Sequence, residues 1–281
     1  MSPASSAAKV ARRPCPDGCV DAPILVFDSG VGGLTIVEAI AEALPGAPQV
    51  YACDNAAFPY GPKPEDELCE RVHATLDALI GRFAPRLLVV ACNTASTVAL
   101  PRLRSHYSLP IVGVVPAIKP AARLSRNRVI GLLATPGTVR RPYTDQLIAE
   151  FAADCTVVRV GSSELVLAAE EKLRGAPVDD ALLRTLMRPI LEAGADTVVL
   201  GCTHFPLLRA ELQAAAGSPL IWVDSGEAIA RRVRDLLPGG ANMLPAAAAR
   251  TAVFTRDDPQ VTALGPALAA RGFSSPSFLQ V

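Results

Sequence analysis

Residues 88–94 read Leu-Val-Val-Ala-Cys-Asn-Thr, an apolar run that ends in a small residue, a cysteine and two polar residues. An apolar run without polar alternation is typical of a strand buried on both faces of a parallel sheet, and polar residues after it can begin a helix. The same order returns 110 residues later, where residues 198–204 read Val-Val-Leu-Gly-Cys-Thr-His. The repeat predicts two equivalent strand-to-helix units, one in each half of the chain.

Short apolar runs alternate with amphipathic patterns from Ile24 onward. In one of these patterns, apolar residues between Leu68 and Phe83 fall on a single helical stripe. The alternation predicts an α/β fold that is doubly wound and has mainly parallel sheets. The predicted strands are Ile24–Phe27, Gln49–Cys53, Arg86–Ala91, Ile111–Val114, Val129–Leu133, Thr156–Val160, Thr197–Gly201, Leu220–Val223 and Thr251–Phe254.

Nine strands are many for one open sheet, and we therefore expect two similar α/β domains. The spacing of the strands suggests that the chain enters the second domain near Val115-Pro116 and returns near Asp224. We predict a loose N-terminal extension over residues 1–23. The first domain is predicted to comprise residues 24–115 and 225–281, and the second domain residues 116–224.

The composition excludes several classes of protein. Of the 281 residues, 50% are hydrophobic and 19% are charged, which is typical of a globular protein. Lys+Arg and Asp+Glu both number 27, and this balance argues against nucleic-acid and membrane-surface partners, which require an excess of positive charge. No apolar run reaches the roughly 18 residues that a membrane helix needs. Seven cysteines, an odd number without a dense framework, favour a reduced, cytoplasmic protein over a secreted one.

Cys92 and Cys202 are the candidate reactive groups. Each follows a predicted strand, and ligands of open parallel sheets bind at the carboxyl ends of the strands. At the start of a helix, the positive end of the helix dipole favours the thiolate form of a cysteine. Either cysteine alone could be an ordinary core residue, because free cysteines are often buried. The matched pair, each followed by polar side chains, favours a chemical role.

Two facing thiols could form a redox disulfide, bind a metal ion, or act as an opposed acid and base. A redox pair usually has the spacing Cys-x-x-Cys, which is absent. Zinc prefers four ligands, and only His204 is close in sequence to either cysteine. Cys15 and Cys19 in the extension are a weak candidate for half of a metal clip. Opposed proton transfer requires two equivalent groups that face each other, which a duplicated cleft supplies.

A glycine-rich turn, Asp28-Ser29-Gly30, follows the first predicted strand. Helix capping is one interpretation, because Asp and Ser are favoured at helix N-termini, and a second Asp-Ser-Gly at residues 224–226 supports it. Dinucleotide binding is another, since residues 30–35 nearly read G-x-G-x-x-G and Asp54 lies where a ribose-binding acid belongs. Thr35 occupies the sixth position of that motif, which argues against it.

Two other segments are candidates for the functional site. Residues 58–62 read Phe-Pro-Tyr-Gly-Pro, a rigid turn that could also offer backbone N–H groups to an anionic ligand. Glu170 and Glu171 lie on a predicted helix, and their spacing alone favours a solvated helix face over a catalytic acid.

Seven stretches taken together resemble the glutamate racemases of the cofactor-independent aspartate/glutamate racemase superfamily. They occur in the order typical of that family between Ile24 and Asp258, and the cysteine-containing stretches are the most specific. The stretches are Val26–Val37 (VFDSGVGGLTIV), Phe58–Gly61 (FPYG), Val90–Ser96 (VACNTAS), Val112–Ala121 (VGVVPAIKPA), Gly131–Thr138 (GLLATPGT), Gly201–Leu208 (GCTHFPLL) and Asp224–Ala230 (DSGEAIA).

The resemblance implies that Cys92 and Cys202 are two catalytic bases in a cleft between two similar domains, and that no cofactor is used. It implies that Asp28 assists Cys92 and that His204 assists Cys202. Glu170 is the best match to an auxiliary glutamate of the family, although LVLAAE departs from the usual LVPLVE. The implied substrate-binding residues are Asp28, Ser29, Tyr60, Gly61, Asn93, Thr94, Thr203 and His204.

The implied reaction is racemisation of L-glutamate to D-glutamate, with peptidoglycan synthesis as the pathway. The partners to expect are the small substrate and, as in some members with extensions, a peptidoglycan-precursor activator; a homodimer is left open. Three rival functions remain at this point. They are a racemase of a related amino acid such as aspartate, a dinucleotide-binding oxidoreductase, and a binding module without catalysis.

Overall fold

The computed structural model describes residues 22–237 and 250–281. Cys15, Cys19 and nearly all of the predicted N-terminal extension lie outside the described residues.

The described residues form two sheets in which every pair of neighbouring strands is parallel. The strands are β1 (Ile24–Asp28), β2 (Gln49–Cys53), β3 (Leu87–Val90), β4 (Ile111–Gly113), β5 (Val129–Ala134), β6 (Thr156–Gly161), β7 (Thr197–Leu200), β8 (Ile221–Val223), β9 (Arg250–Phe254) and β10 (Ser277–Phe278). The first sheet has the order β10-β9-β2-β1-β3-β4, and the second has the order β6-β5-β7-β8. The predicted α/β class with two mainly parallel sheets is confirmed.

Helices connect the strands. They are α1 (Leu34–Ala43), α2 (Glu65–Phe83), α3 (Asn93–His106), α4 (Ile118–Leu124), α5 (Pro136–Arg140), α6 (Pro142–Phe151), α7 (Glu164–Leu173), α8 (Asp180–Glu192), α9 (Arg209–Ala216), α10 (Gly226–Leu236), α11 (Pro259–Ala263) and α12 (Gly265–Ala269). Within the two described ranges, none of these helices has the length and apolar character needed to cross a membrane.

Helices cover both faces of each sheet because successive side chains of a strand point to opposite sides. In β1, Leu25 and Phe27 pack against α2, whereas Ile24 and Val26 lie in the layer that contains α1. The second sheet has the same arrangement, with α7 and α8 on one face and α4 on the other. Burial on both faces explains why the central strands read as continuous apolar runs.

All nine predicted strands are present, and no end differs from its predicted position by more than one residue. β10 was not predicted, because two residues at the edge of a sheet carry no usable pattern. β6 is the exception to the expected burial, since its side chains are partly or fully exposed. It is an edge strand of the second sheet and has a partner on one side only.

The chain passes between the two sheets twice, after β4 and after β8. The two crossing segments touch each other, because the hydroxyl of Ser225 donates a hydrogen bond of 2.6 Å to the carbonyl oxygen of Val115. The domain limits at residues 115 and 225 fall at this contact, and the division of the chain into two domains stays a prediction.

Candidate active site

The two candidate cysteines lie at the carboxyl ends of strands, one in each sheet. Cys92 follows β3 and is the N-cap residue of α3, and Cys202 follows β7. The two residues are only 6% and 7% exposed. A negative charge at Cys202 would raise the pKa of Cys92, so the two sulfur atoms are near enough to interact electrostatically. The duplicated pattern in the sequence therefore corresponds to two thiols at one shared site.

A carboxylate lies beside Cys92. The hydroxyl oxygen of Ser29 is 3.6 Å from the sulfur of Cys92 and 3.4 Å from Oδ1 of Asp28, so it bridges the two groups. Burial raises the pKa of Cys92, and the negative charge of Asp28 raises it further. Burial also raises the pKa of Asp28. This environment favours a protonated Cys92, with a carboxylate near enough to accept its proton.

An imidazole lies beside Cys202. Nδ1 of His204 is 3.7 Å from the sulfur of Cys202, and Nε2 is 2.9 Å from Oε1 of Glu170. Burial alone would lower the pKa of His204, but the contacts with Cys202 and Glu170 outweigh burial and raise the pKa well above its usual value. A protonated imidazole therefore lies between the sulfur of Cys202 and the carboxylate of Glu170.

The carboxylate of Glu170 is buried but well supplied with donors. Burial would raise its pKa, yet the hydrogen bond with His204 and the N–H of Val31 hold the pKa below its usual value. The N–H of Val31 donates to Oε1 at 2.7 Å, and Arg174 donates to Oε2 at 3.1 Å. The expectation of a solvated helix face is wrong for Glu170, which is 5% exposed, whereas Glu171 is exposed.

Two hydrogen bonds join the surroundings of the two cysteines. The hydroxyl of Thr203, next to Cys202, donates to Oδ2 of Asp28 at 3.0 Å. The N–H of Val31, in the loop after β1, donates to Glu170 on α7 of the other sheet's helical layer. The carboxylates of Asp28 and Glu170 thus each accept a hydrogen bond from a donor in the opposite part of the molecule.

The glycine-rich turn after β1 allows side chains of the second part of the chain to pack directly against its backbone. A Cβ atom at Gly30 would collide with Glu170 and would lie 2.7 Å from Nε2 of His204. A Cβ atom at Gly32 would lie 2.5 Å from Nδ1 of His204 and 2.7 Å from the hydroxyl of Thr203. The space beside these glycines is therefore filled by side chains of the second part of the chain rather than left open for a pyrophosphate.

Asp54 and Asp28, on which the dinucleotide and helix-cap interpretations depend, already accept hydrogen bonds from other protein groups. Asp54 accepts hydrogen bonds from Tyr60, Arg71 and Thr255, so the dinucleotide interpretation, which needs a free acid here, is wrong. Asp28 is not a helix cap, since its Oδ1 accepts from the adjacent N–H of Ser29. Within the described residues, no group of three or more His, Cys, Asp or Glu side chains is arranged to hold a metal ion.

Asn93 and Thr94 form the first turn of α3 and are both 4% exposed. The side-chain nitrogen of Asn93 is buried and has no hydrogen-bond partner among the described residues. An unpaired buried donor is unfavourable by itself, and a ligand oxygen placed next to it would remove that penalty. Asn93 is therefore suited to bind an anionic substrate group beside Cys92.

The loop at residues 58–61 contacts both the core of the first sheet, through Tyr60, and the site, where the Phe58 ring lies 6.0 Å from the His204 ring. The Tyr60 hydroxyl donates a 2.6 Å hydrogen bond to Asp54, and the Tyr60 side chain is buried in the first sheet's core. A Cβ atom at Gly61 would meet nothing within 4 Å, and its carbonyl oxygen faces Gly137 of α5. The tyrosine hydroxyl thus has a protein partner in Asp54, and the substrate-binding role of Tyr60 and Gly61 stays a prediction.

Comparison with known proteins identifies the family. The family model described as Asp/Glu/hydantoin racemase matches residues 29–233, which include every candidate site residue except Asp28. This chain belongs to that family.

Several relatives have one enzymatic activity in common. A glutamate racemase of Shewanella sp. (strain MR-7) is 55% identical over 215 residues, which cover 76% of this chain and 79% of the relative. A glutamate racemase of Pectobacterium carotovorum is 50% identical over 255 residues, covering 90% and 89%. The crystal structure of Escherichia coli glutamate racemase in complex with L-glutamate and the activator UDP-MurNAc-Ala has a TM-score of 0.86 and 49% identity, and it covers 92% of this chain and 98% of that one.

Tyr60→Phe distinguishes a structural from a substrate-binding hydroxyl. We expect the variant to lose about 1 kcal/mol of unfolding free energy, because one net hydrogen bond to Asp54 is removed. We expect kcat/KM for racemisation to stay within about threefold of the wild-type value, since the hydroxyl donates its proton to Asp54. Urea unfolding and steady-state kinetics measure the two quantities, with Tyr143→Phe on α6 as the control. A hundredfold loss of kcat/KM at unchanged stability would assign the hydroxyl to the substrate.

Proposed function

We propose that this chain is a cofactor-independent glutamate racemase, which converts L-glutamate to D-glutamate and supplies D-glutamate for peptidoglycan synthesis. The observation that carries the proposal is the pair of buried cysteines at strand ends in two different sheets. Each has its own charged neighbour, Asp28 beside Cys92 and His204 beside Cys202. Two thiols of this kind fit a reaction that takes a proton from one face of a carbon atom and returns one to the other.

In the proposed mechanism, the thiolate of one cysteine removes the α-proton of glutamate and forms an S–H bond as the C–H bond breaks. The thiol of the other cysteine donates its proton to the opposite face of the resulting carbanion and becomes a thiolate. No electrons are gained or lost, and the substrate does not need to turn over. General acid–base catalysis of this type contributes about 10²- to 10⁴-fold to the rate.

One turnover requires one thiolate and one thiol, and the two cysteines differ in the charge of their neighbours. Burial and the negative Asp28 favour the thiol at Cys92, while Nδ1 of the positively charged imidazole of His204 lies 3.7 Å from the sulfur of Cys202. After the protons have moved, the protonation states must be restored. Ser29 with Asp28, and His204 with Glu170, are the groups in position to pass those protons.

The carbanion must be stabilised, because an α-proton of an amino acid is very weakly acidic. Donors that are fixed before the reaction lower the barrier most effectively when they face the carboxylate on which charge develops. The unpaired side-chain nitrogen of Asn93 and the backbone N–H groups that follow Cys92 and Cys202 are our candidates. Thr94 and Thr203, both buried beside the cysteines, complete the proposed binding site.

Similarity to glutamate racemases favours glutamate over aspartate as the substrate of this chain. Glutamate racemases that are 49% to 55% identical to this chain cover three quarters or more of it. We propose that Asp28, Ser29, Tyr60, Gly61, Thr203 and His204 surround the substrate as the resemblance implies, with Glu170 as an auxiliary residue. We also propose a division into two domains at residues 115 and 225, and a cytoplasmic location, where thiols remain reduced.

The direct test is a racemisation assay on L-glutamate without added cofactor. We expect wild-type activity, and a loss of at least about 100-fold in Cys92→Ser and in Cys202→Ser, because a serine hydroxyl is a far weaker acid than a thiol and supplies little anionic base at neutral pH. Optical rotation follows the reaction, and circular dichroism verifies the fold. Cys155→Ser, at a partly exposed position away from the site, should retain full activity. Near-normal turnover in either of the first two variants would contradict the two-thiol mechanism.

Racemisation in D₂O, stopped early, tests whether the two bases face each other. If the proton delivered comes from a thiol that has exchanged with solvent, the D-glutamate formed should carry deuterium at the α-carbon. The remaining L-glutamate should stay largely protiated, because the proton removed is held by the other thiol. Mass spectrometry of the separated enantiomers provides the measurement. Substantial protium in early D-glutamate, or rapid labelling of the L-glutamate, would indicate a single base for both faces.

Activation by a peptidoglycan precursor is a further part of the proposal. The Escherichia coli relative was crystallised with the activator UDP-MurNAc-Ala. That relative is 49% identical in sequence to this chain, and the match covers 92% of this chain. We expect UDP-MurNAc-Ala to raise kcat/KM at least about fivefold, the lower range of ordinary coupling between two binding sites. UDP alone serves as the control. Equal rates with and without saturating UDP-MurNAc-Ala would show that this chain works without the activator.

A further inference from the structure

Glu170 accepts hydrogen bonds from three different parts of the molecule. Oε1 accepts from the N–H of Val31 and lies 2.9 Å from Nε2 of His204. Oε2 is 3.1 Å from the guanidinium of Arg174, which is the donor described for this oxygen. The position of Oε1, and with it the contact to His204, therefore depends on what holds Oε2.

The local structure places Arg174 at this oxygen. Arg174 follows α7 as its C-cap residue, one helical turn after Glu170, and residues four apart lie on the same helix face. Gly175 has a φ of +93° and turns the chain away after Arg174, so the arginine is at the end of the helix. Its side chain is 19% exposed and lines an open cavity whose lining includes neither Cys92 nor Cys202.

We propose that Arg174 is a positioning residue for the Cys202 half of the reaction: by holding Oε2 of Glu170, it keeps Oε1 aimed at His204 and so holds the imidazole in place beside the thiol of Cys202. The inference rests on the proposed function in one respect, because that function gives Cys202 a proton to transfer. The contacts themselves do not depend on which substrate is bound.

Two effects of Arg174 on His204 oppose each other. The positive guanidinium repels a positive imidazole, but Glu170 lies between the two groups, and the cavity beside Arg174 admits screening water. Without Arg174, Oε2 would be a buried carboxylate oxygen without its charged donor. The carboxylate would then rotate or take up a proton, and the contact with His204 would weaken. Because the direct contact is short and the repulsion is screened, we expect the loss of orientation to dominate.

Other charged groups face the same pair, and the experiment must separate them. Asp28 acts on His204 from the end of β1, and Cys202 touches its other nitrogen. Glu170 in turn acts on Tyr51 and Cys53 of β2. Arg256 and Asp258, which are paired with each other, line the cavity next to Arg174. None of these groups changes in an Arg174 variant, so a change at Cys202 alone isolates the contribution of Arg174.

Selective alkylation of the two thiols tests the proposal. Iodoacetamide reacts with thiolates, and peptide mass spectrometry measures the rates at Cys92 and Cys202 separately in the full-length enzyme between pH 6 and pH 9. In Arg174→Gln, we expect Cys202 to react about three- to tenfold more slowly at pH 7 and its pH profile to shift upward. Cys92 should stay within about twofold, because Arg174 makes no described contact with Asp28, Ser29 or Cys92. kcat should fall with KM nearly unchanged.

Matched variants separate positioning from helix stability. Arg184→Gln on α8 removes an exposed arginine that pairs with Asp180 at the same four-residue spacing, and it should leave both thiols unchanged. Arg174→Lys retains a cation at the helix end and should partly restore the rate at Cys202. If Arg174→Gln does not fold, Arg174→Met replaces it, because methionine keeps the apolar stem without the charge.

The outcomes are distinct from those that test the proposed function. Equal slowing of both thiols, no change at either thiol, or faster reaction at Cys202 would overturn the positioning role. If the wild-type enzyme does not racemise glutamate, the proposed function fails, yet the ratio of the two alkylation rates still reports on Arg174. A normal wild-type rate with an unchanged ratio in the variant would overturn the role of Arg174 alone.

Discussion

Two hydrogen bonds between opposite parts of the molecule determine the geometry of the site: Val31 N–H to Glu170, and the Thr203 hydroxyl to Asp28. Both acceptors are buried carboxylates, and a buried charge is tolerated only when donors surround it. Since neither carboxylate finds all of its donors within its own part of the chain, the charged site is complete only when the two sheets face each other.

The two halves of the site are alike in backbone but opposite in charge. A strand that ends in a cysteine beside polar residues occurs in both, yet Cys92 faces a carboxylate and Cys202 faces an imidazolium. The proposed reaction needs one thiol and one thiolate at a time, and the chemically different neighbours of the two cysteines are the groups available to exchange protons with them.

The glycines after β1 show how one motif can have two physical explanations. A near G-x-G-x-x-G pattern after a strand permits close approach to the backbone, which in nucleotide-binding folds is made by a pyrophosphate. Here the approach is made by Glu170 and His204, which fill the space beside Gly30 and Gly32. The sequence correctly indicated that something comes close to this turn. The identity of that group depended on a segment about 140 residues further along the chain.

Features that depend on neighbouring residues could be predicted from the sequence. The nine apolar runs form strands because burial on both sheet faces leaves a local pattern, and the strand-to-cysteine order indicated that Cys92 and Cys202 lie at strand ends. The burial of Glu170, the hydrogen bond of the Tyr60 hydroxyl to Asp54 and the contact of Arg174 with Glu170 depend instead on how distant elements pack. Helix periodicity does not distinguish Glu170 from Glu171 as a site residue. What distinguishes them is a contact with Val31, 139 positions away, and such contacts arise from packing between elements rather than from any pattern within one of them.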